Sequence, residues 1–174
     1  NWTERIDFGG LLDVPDEQGV TRIQGNIVGK GIRLLHSDDE VERMELKPLL
    51  VKGRFPEKEG EMLLSDELFN RMNLQLNAPV TLISGTMYGE MAIYNFQVTG
   101  TLHFGVNILD KGMMIADIED VRRALNMEDA AGGILGFFKT NVYNDKEAKS
   151  MAGAFNIAHA VPDDPFSPVM AVLS

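Results

Sequence analysis

A chain of 174 residues, 44% of them hydrophobic, is long enough to bury one substantial core or two small ones. Sixteen Lys and Arg against 26 Asp and Glu leave a net charge of −10, which argues against a basic surface for nucleic acid or anionic lipid head groups. The absence of cysteine excludes disulfides, thiolate catalysis and Cys-ligated zinc, and suits an oxidising compartment where free thiols are a liability.

In chain order, residues 5–12 and 20–28 read as two apolar strands joined by the turn VPDEQG, whose proline and glycine suit a hairpin. Ser37 to Glu40 has the S-x-x-E spacing of a capping box, which predicts a helix carrying Val41 and Met44 and ended by Pro48. Residues 60–64 form a short apolar strand. Ser65 is the expected N-cap of a helix with Asp66 and Glu67 in its first turn and Leu68, Phe69 and Met72 as its buried stripe. Asn73 is expected in the left-handed conformation after that helix, and Asn77 in the next tight turn.

Residues 80–84 and 92–99 then form a hairpin around the glycine-bounded tip GTMYGEM. In its second strand Ala92, Tyr94, Phe96 and Val98 alternate with Ile93, Asn95, Gln97 and Thr99, the period of a sheet with one buried face. Asp117 is expected to cap a helix with Val121, Ala124 and Leu125 inside. Asn144 or Asp145 should cap another carrying Ala148, Met151, Ala152 and Phe155. Pro162-Asp163-Asp164-Pro165 breaks the chain before an expected final helix over residues 166–173, against which Pro168 works.

The stretch from Gly53 to Leu82 resembles the periplasmic core domain of the MacB-like and FtsX-like ABC transporter permeases, a family that includes the LolC and LolE lipoprotein-release proteins. Gly60, Glu61, Ser65, Leu68, Met72, Asn73, Leu74, Leu76, Asn77 and Val80 fall in the family register, with asparagines at two usual glycines and Ala78 at a usual aspartate. The segments FQVTGT (96–101) and MMIADIEDVRRAL (113–125) fit in the same order, as do residues 20–29 upstream and 137–155 downstream, so the likeness spans roughly residues 5–155.

The resemblance implies an α+β fold with a mixed sheet and short helices. It implies a βαβ-type porter subdomain, incomplete at the N-terminus, and an inserted strand-rich sabre subdomain. Residues 1–52 would be porter-type, 53–130 sabre-type, and 131–174 the return to the porter part and the start of a membrane-proximal helix. The first strand and helix of the porter layer would lie before Asn1, and membrane helices would flank the domain, making this chain an excised fragment. No run of about 18 apolar residues exists within it, and no charged and apolar leader opens it.

A search for chemistry yields no catalytic, cofactor-binding or metal residues. His36, His103 and His159 have no metal-ligand spacing. Asp38-Asp39-Glu40 lacks the alternating ligands and glycine of a calcium loop, and reads better as a helix start. Asp163-Asp164 is better read as a cap and turn than as an acid/base pair. Gly132 and Gly133 belong to no phosphate-binding pattern, so ATP is expected to bind elsewhere. The methionines read as core filler, except Met87 and Met91, which with Tyr88 are the candidate partner contacts at the hairpin tip. The plainer reading is that residues 104–109 cover them.

The function implied by the resemblance is a non-catalytic domain on the extracytoplasmic face of the bacterial inner membrane, which couples ATP-driven membrane motion to handling of a substrate or partner, termed mechanotransmission in the family. Its expected partners are an ABC ATPase subunit, a second permease copy, and a periplasmic adaptor or envelope substrate; no cofactor is expected. Efflux and lipoprotein release both occur in this family, and the connection 86–90 is too brief for the hook by which lipoprotein-release permeases capture a carrier. The alternative is a secreted or periplasmic hydrolase or carbohydrate-binding domain using acidic residues.

Overall fold

The computed structural model describes residues 1–16, 18–140, 142–159, 161 and 167–172. They divide into two compact units, Thr3–Leu135 and Asn1–Trp2 with Gly136–Ser174. The elements are β1 (Trp2–Pro15), β2 (Thr21–Ile32), α1 (Asp39–Arg43), a 3-10 turn (Lys47–Leu49), β3 (Leu50–Gly53), β4 (Glu61–Ser65), α2 (Asp66–Arg71), β5 (Pro79–Gly85), β6 (Met91–Leu102), α3 (Asn107–Asp110), β7 (Met113–Asp117), α4 (Ile118–Leu125), β8 (Gly133–Gly136) and α5 (Asp145–His159). The α+β class with a mixed sheet and short helices is as expected.

In the larger unit six strands close into a barrel. β1 runs antiparallel to β2 on one side and to β5 on the other; β2 is parallel to β7, and β7 antiparallel to β4. β4 is parallel to β6, and β6 antiparallel to β5, which completes the ring. β3 pairs with the far end of β6, and β8 lies beside β1. Strands from residues 1–52 and from 53–130 thus share one ring, whose closure leaves its six members no free edge there.

β4 and β7 are buried along their whole length, in keeping with the continuous apolar stretches MLL of β4 and MMIA of β7. Successive side chains point to opposite faces. Met62, Leu64, Met114 and Ala116 join a large core with Leu12, Leu82, Phe96, Leu68 and Val121. Leu63, Met113 and Ile115 instead join a second cluster with Ile32, Leu34, Val41 and Leu46. Glycines in β2 make room for what packs inside. A Cβ at Gly25 would meet Leu68 and Met72 at 3.0–3.1 Å, and one at Gly31 would meet Val121 at 3.0 Å.

Several local expectations need correction. The first two strands run well past residues 5–12 and 20–28 because each pairs along its whole length with the other. The capping box does not form. Asp38 holds the N-cap position without a side-chain bond, and Glu40 turns inward to Arg5 and Arg43, each at 2.7 Å. An ion pair in a buried site outweighs a solvent-facing cap bond there. α1 ends at Arg43, with Glu45 left-handed at φ 50°, so Pro48 does not end it but opens the 3-10 turn. Ser65 has the N-cap backbone of α2, yet its buried hydroxyl makes no cap bond and has no hydrogen-bond partner.

Asn73 and Asn77 are left-handed, at φ 49° and 65°, as their tolerance of that region predicts. Asp117 caps α4, accepting from Glu119 N–H at 3.0 Å.

In the smaller unit, Asn1 and Phe137 exchange two backbone hydrogen bonds of 2.7 and 2.8 Å. α5 is capped by Asn144, whose Oδ1 accepts from Glu147 N–H at 3.2 Å. Of its expected inner residues Ala152 is buried, Ala148 and Phe155 are half-buried and Met151 is exposed. The expected final helix falls partly outside the described residues; residues 167–172 carry no helix. Asp163 and Asp164 lie outside the described residues.

Candidate partner-contact surface

The hairpin that carries the candidate contacts is built by register. Val80 pairs with Phe96 and Leu82 with Tyr94 on the core side, while Ile83 pairs with Ile93 and Gly85 with Met91 on the outer side. The tip is closed by Thr86 and Glu90: Thr86 N–H donates to the Glu90 carbonyl at 2.8 Å, and Glu90 N–H to Thr86 Oγ1 at 3.0 Å. Gly89, at φ 82°, supplies the left-handed residue the turn requires. Met87 N–H then donates to the carbonyl of Leu125 at 3.0 Å, one of the carbonyls that the end of α4 leaves without a helical partner. The tip is therefore pinned at both its base and its crown.

From this fixed backbone Met87, Tyr88 and Met91 project into solvent, 53%, 71% and 75% exposed. The 104–109 segment does not cover them. It forms the approach to α3, where Phe104 packs on the second cluster and its N–H donates to Asp110 at 2.7 Å. Ile93, 65% exposed, extends the same apolar surface down β6 and was not among the residues singled out from the sequence. Alternation marks it as facing away from the core; what makes it part of a surface is its neighbour Ile83 and the strand beyond, and a pairing between β5 and β1 leaves no local signal in the chain.

The buried carboxylates hold loops. Asp117 Oδ2 accepts from the N–H groups of Leu34 and Leu35 at 2.9 and 3.1 Å. Glu61 Oε1 and Oε2 take both arms of Arg54, at 2.7 and 2.8 Å, and Oε2 accepts Glu57 N–H at 2.9 Å, so the Arg54 guanidinium holds its pKa down at about 2. Asp120 accepts from Gly60 N–H at 2.8 Å and from the Tyr94 hydroxyl at 3.2 Å. Burial nevertheless pushes its pKa up. For Asp66 burial pushes upward too, but Lys52, Thr101 and Asn70 together carry it below its ordinary value.

The other residues weighed from the sequence stay apart. His103 Nδ1 lies 3.4 Å from Asp110, His159 stacks on Phe155 with ring centroids 4.7 Å apart, and Asp38 pairs with Lys47 at 3.1 Å. Among the described residues no three His, Cys, Asp or Glu side chains gather into a cluster that could hold a metal ion. An open groove is lined by Val14, Pro15, Arg22 and residues 73–79, and the Arg22 guanidinium donates to the Met72 carbonyl at 3.1 Å.

The fold is that of a solved structure, the periplasmic region of MacB from Actinobacillus actinomycetemcomitans. The two superpose with a TM-score of 0.56 over 91% of this chain at 14% sequence identity. The chain spans 66% of the length of that structure, just under two thirds. No protein-family model matches the chain, and no curated protein matches it.

Proposed function

We propose that this chain is a non-catalytic extracytoplasmic domain of an ABC transporter permease, which carries the motion of ATP-driven membrane helices to a substrate or partner outside the membrane. The observation that supports this reading most is the likeness of fold to the MacB periplasmic region along 91% of the chain, in company with the Gly60-Glu61, FQVTGT and MMIADIEDVRRAL motifs. A closed barrel suits a lever, since a densely packed body with paired strands passes a displacement on rather than absorbing it. ATP is bound and hydrolysed by a separate subunit or domain, and the domain works in a permease dimer.

Membrane helices belong to other parts of the full-length protein, and no helix among the described residues is long and apolar enough to cross a bilayer. Met87, Tyr88 and Met91 are the contact for an adaptor or envelope substrate. The five-residue connection 86–90 is too short to hook a lipoprotein carrier. The alternative, an acidic hydrolase or carbohydrate-binding domain, is not favoured by the carboxylates, since Glu61, Asp117 and Asp120 are buried and committed to backbone N–H groups.

Reporter fusions at the tip of the full-length protein are expected to place it on the extracytoplasmic side with membrane helices on both flanks; a cytoplasmic tip overturns the reading. Replacing Met87 and Tyr88 together by serine is expected to lower transport by about tenfold or more. Stability should stay within about 0.5 kcal/mol, as for other exposed positions. Unchanged transport would show that the tip is no interface.

A further inference from the structure

β1 and β2 keep one register from the pair of Ile6 and Gly31 to the pair of Val14 and Ile23, and Pro15 then pairs with Thr21, so Arg22 is an extra residue with no counterpart on β1. A bulge of this kind re-aims the side chain it carries. Here the Arg22 guanidinium is held across to the turn after α2, where Nη2 donates to the Met72 carbonyl at 3.1 Å and reaches the Asn73 carbonyl at 3.5 Å. Its Nε and Nη1 make no hydrogen bond among the described residues. Every other arginine is paired with a carboxylate. Arg22, in a chain with 26 acidic residues, pairs with none among the described residues.

The same arginine lines the groove between the end of β1 and residues 73–79, a concavity of about 490 Å³. Ligand sites run from roughly 300 to 1,000 Å³ and combine apolar lining with a few placed polar groups. Val14, Pro15, Leu74 and Pro79 supply apolar lining here, and Asn73, Gln75 and Asn77 supply amides. The side-chain amides of those three, and the N–H groups of Gln75 and Leu76, have no hydrogen-bond partner among the described residues. The groove sits where β5 begins, at Pro79, whereas the tip with Met87 and Tyr88 follows the other end of that strand, at Gly85. It is therefore a separate site.

We infer that this groove binds the C-terminal carboxylate of a peptide whose last residues are apolar. A guanidinium with donors to spare matches a carboxylate or a phosphate. Arg22 is the only cation lining the groove, and a phosphate dianion would meet the field of a chain at −10 with one charge left over. A carboxylate balances the single arginine. The unspent amides beside it suit a peptide backbone, and a plain aliphatic acid would leave them unpaired. At a chain end the carboxylate, an amide and an apolar side chain lie within one residue, so a short groove engages all three together.

The inference goes beyond the transporter reading and does not rest on it, because the chain alone presents the groove. The probe is acetyl-Ala-Leu-Val with a free carboxylate, titrated into the isotopically labelled chain and followed by amide chemical shifts. Saturable shifts are expected at Arg22 and residues 73–78, with a Kd of about 1 mM or tighter. The same tripeptide closed as its C-terminal amide should bind at least about tenfold more weakly, because the charge-assisted bond is lost. Hexanoate, a carboxylate without a peptide, should also be at least about tenfold weaker. Arg22→Gln should weaken the acid by about tenfold and leave the amide unchanged, a split that a loosened fold would not produce. Arg22→Lys, which keeps the charge without the fork, should fall between. The comparison of acid and amide in the parent chain stands even where a variant folds poorly. No shifts up to about 10 mM peptide, shifts centred elsewhere, acid and amide bound alike, hexanoate bound as tightly as the peptide, or a folded Arg22→Gln that binds as the parent does would each overturn the inference.

Discussion

Replacing Asp117 by alanine is expected to cost about 3 kcal/mol. One carboxylate does three things. Its Oδ1 caps α4 through Glu119 N–H at 3.0 Å, and its Oδ2 accepts from Leu34 and Leu35 at 2.9 and 3.1 Å, tying the segment after β2 to the end of β7. Loss of a helix cap costs about 1 kcal/mol. A buried N–H left without an acceptor adds about 1–3 kcal/mol, and the Leu34 group is buried. For a chain of this length the sum corresponds to roughly 6–12 °C in melting temperature. Asp117→Asn keeps one acceptor oxygen for one of the two sets of donors and is expected to lose about half as much. Thermal and urea unfolding of the two variants provide the check. An alanine variant within about 0.5 kcal/mol of the parent would mean that water replaces the carboxylate.

Asp117 also shows what the chain makes legible. Its role as a cap is written locally, in an acceptor placed just before an amphipathic segment, and the structure agrees. Its grip on Leu34 and Leu35, more than 80 residues away, has no local signature. The same split recurs elsewhere. Asn73 and Asn77 announce their left-handed turns, since few other side chains tolerate that backbone. Glu40 misleads, because the S-x-x-E spacing promises a capping box while the actual partner, Arg5, stands 35 residues upstream on β1. The strands of the central hairpin are plain from period-two alternation. The closure of the barrel is not, because it depends on the short pairing of Leu11, Leu12 and Asp13 with β5, between segments that give no sign of each other.

The candidate surface divides in the same way. Met87, Tyr88 and Met91 stand out because apolar side chains at a glycine-bounded tip are costly in water. Leu11 does not, because an apolar residue in a strand reads as core until its neighbours are known. Only the register sets it in one row with Ile83 and Ile93, on the solvent side of the barrel.

Acid should unfold this protein, and Glu61 should account for much of the effect. Its carboxylate is 1% exposed and its pKa is held near 2 against an ordinary 4.5, because two Arg54 nitrogens and the Glu57 N–H all favour the charged form. The unfolded chain therefore takes up this proton first as the pH drops. Stability from Glu61 is present in full above its ordinary value and is lost as the pH falls through the window from about 5 to about 2. A shift of this size is worth about 3 kcal/mol. The paired Glu4 and Asp66, also lowered, act in the same direction. Asp120 acts in the opposite one: its raised pKa favours the fold while the group is protonated, and that contribution disappears as the pH rises through the raised value. Glu61→Gln keeps the shape and removes the charge, and Arg54, 42% exposed, can recover water. The variant should be about 2–3 kcal/mol less stable than the parent at neutral pH, with a shallower decline in acid, so that the two curves converge near pH 2. Urea unfolding across this range measures the gap directly, and a gap that stays constant with pH would show that the loss is one of packing rather than of the paired charge.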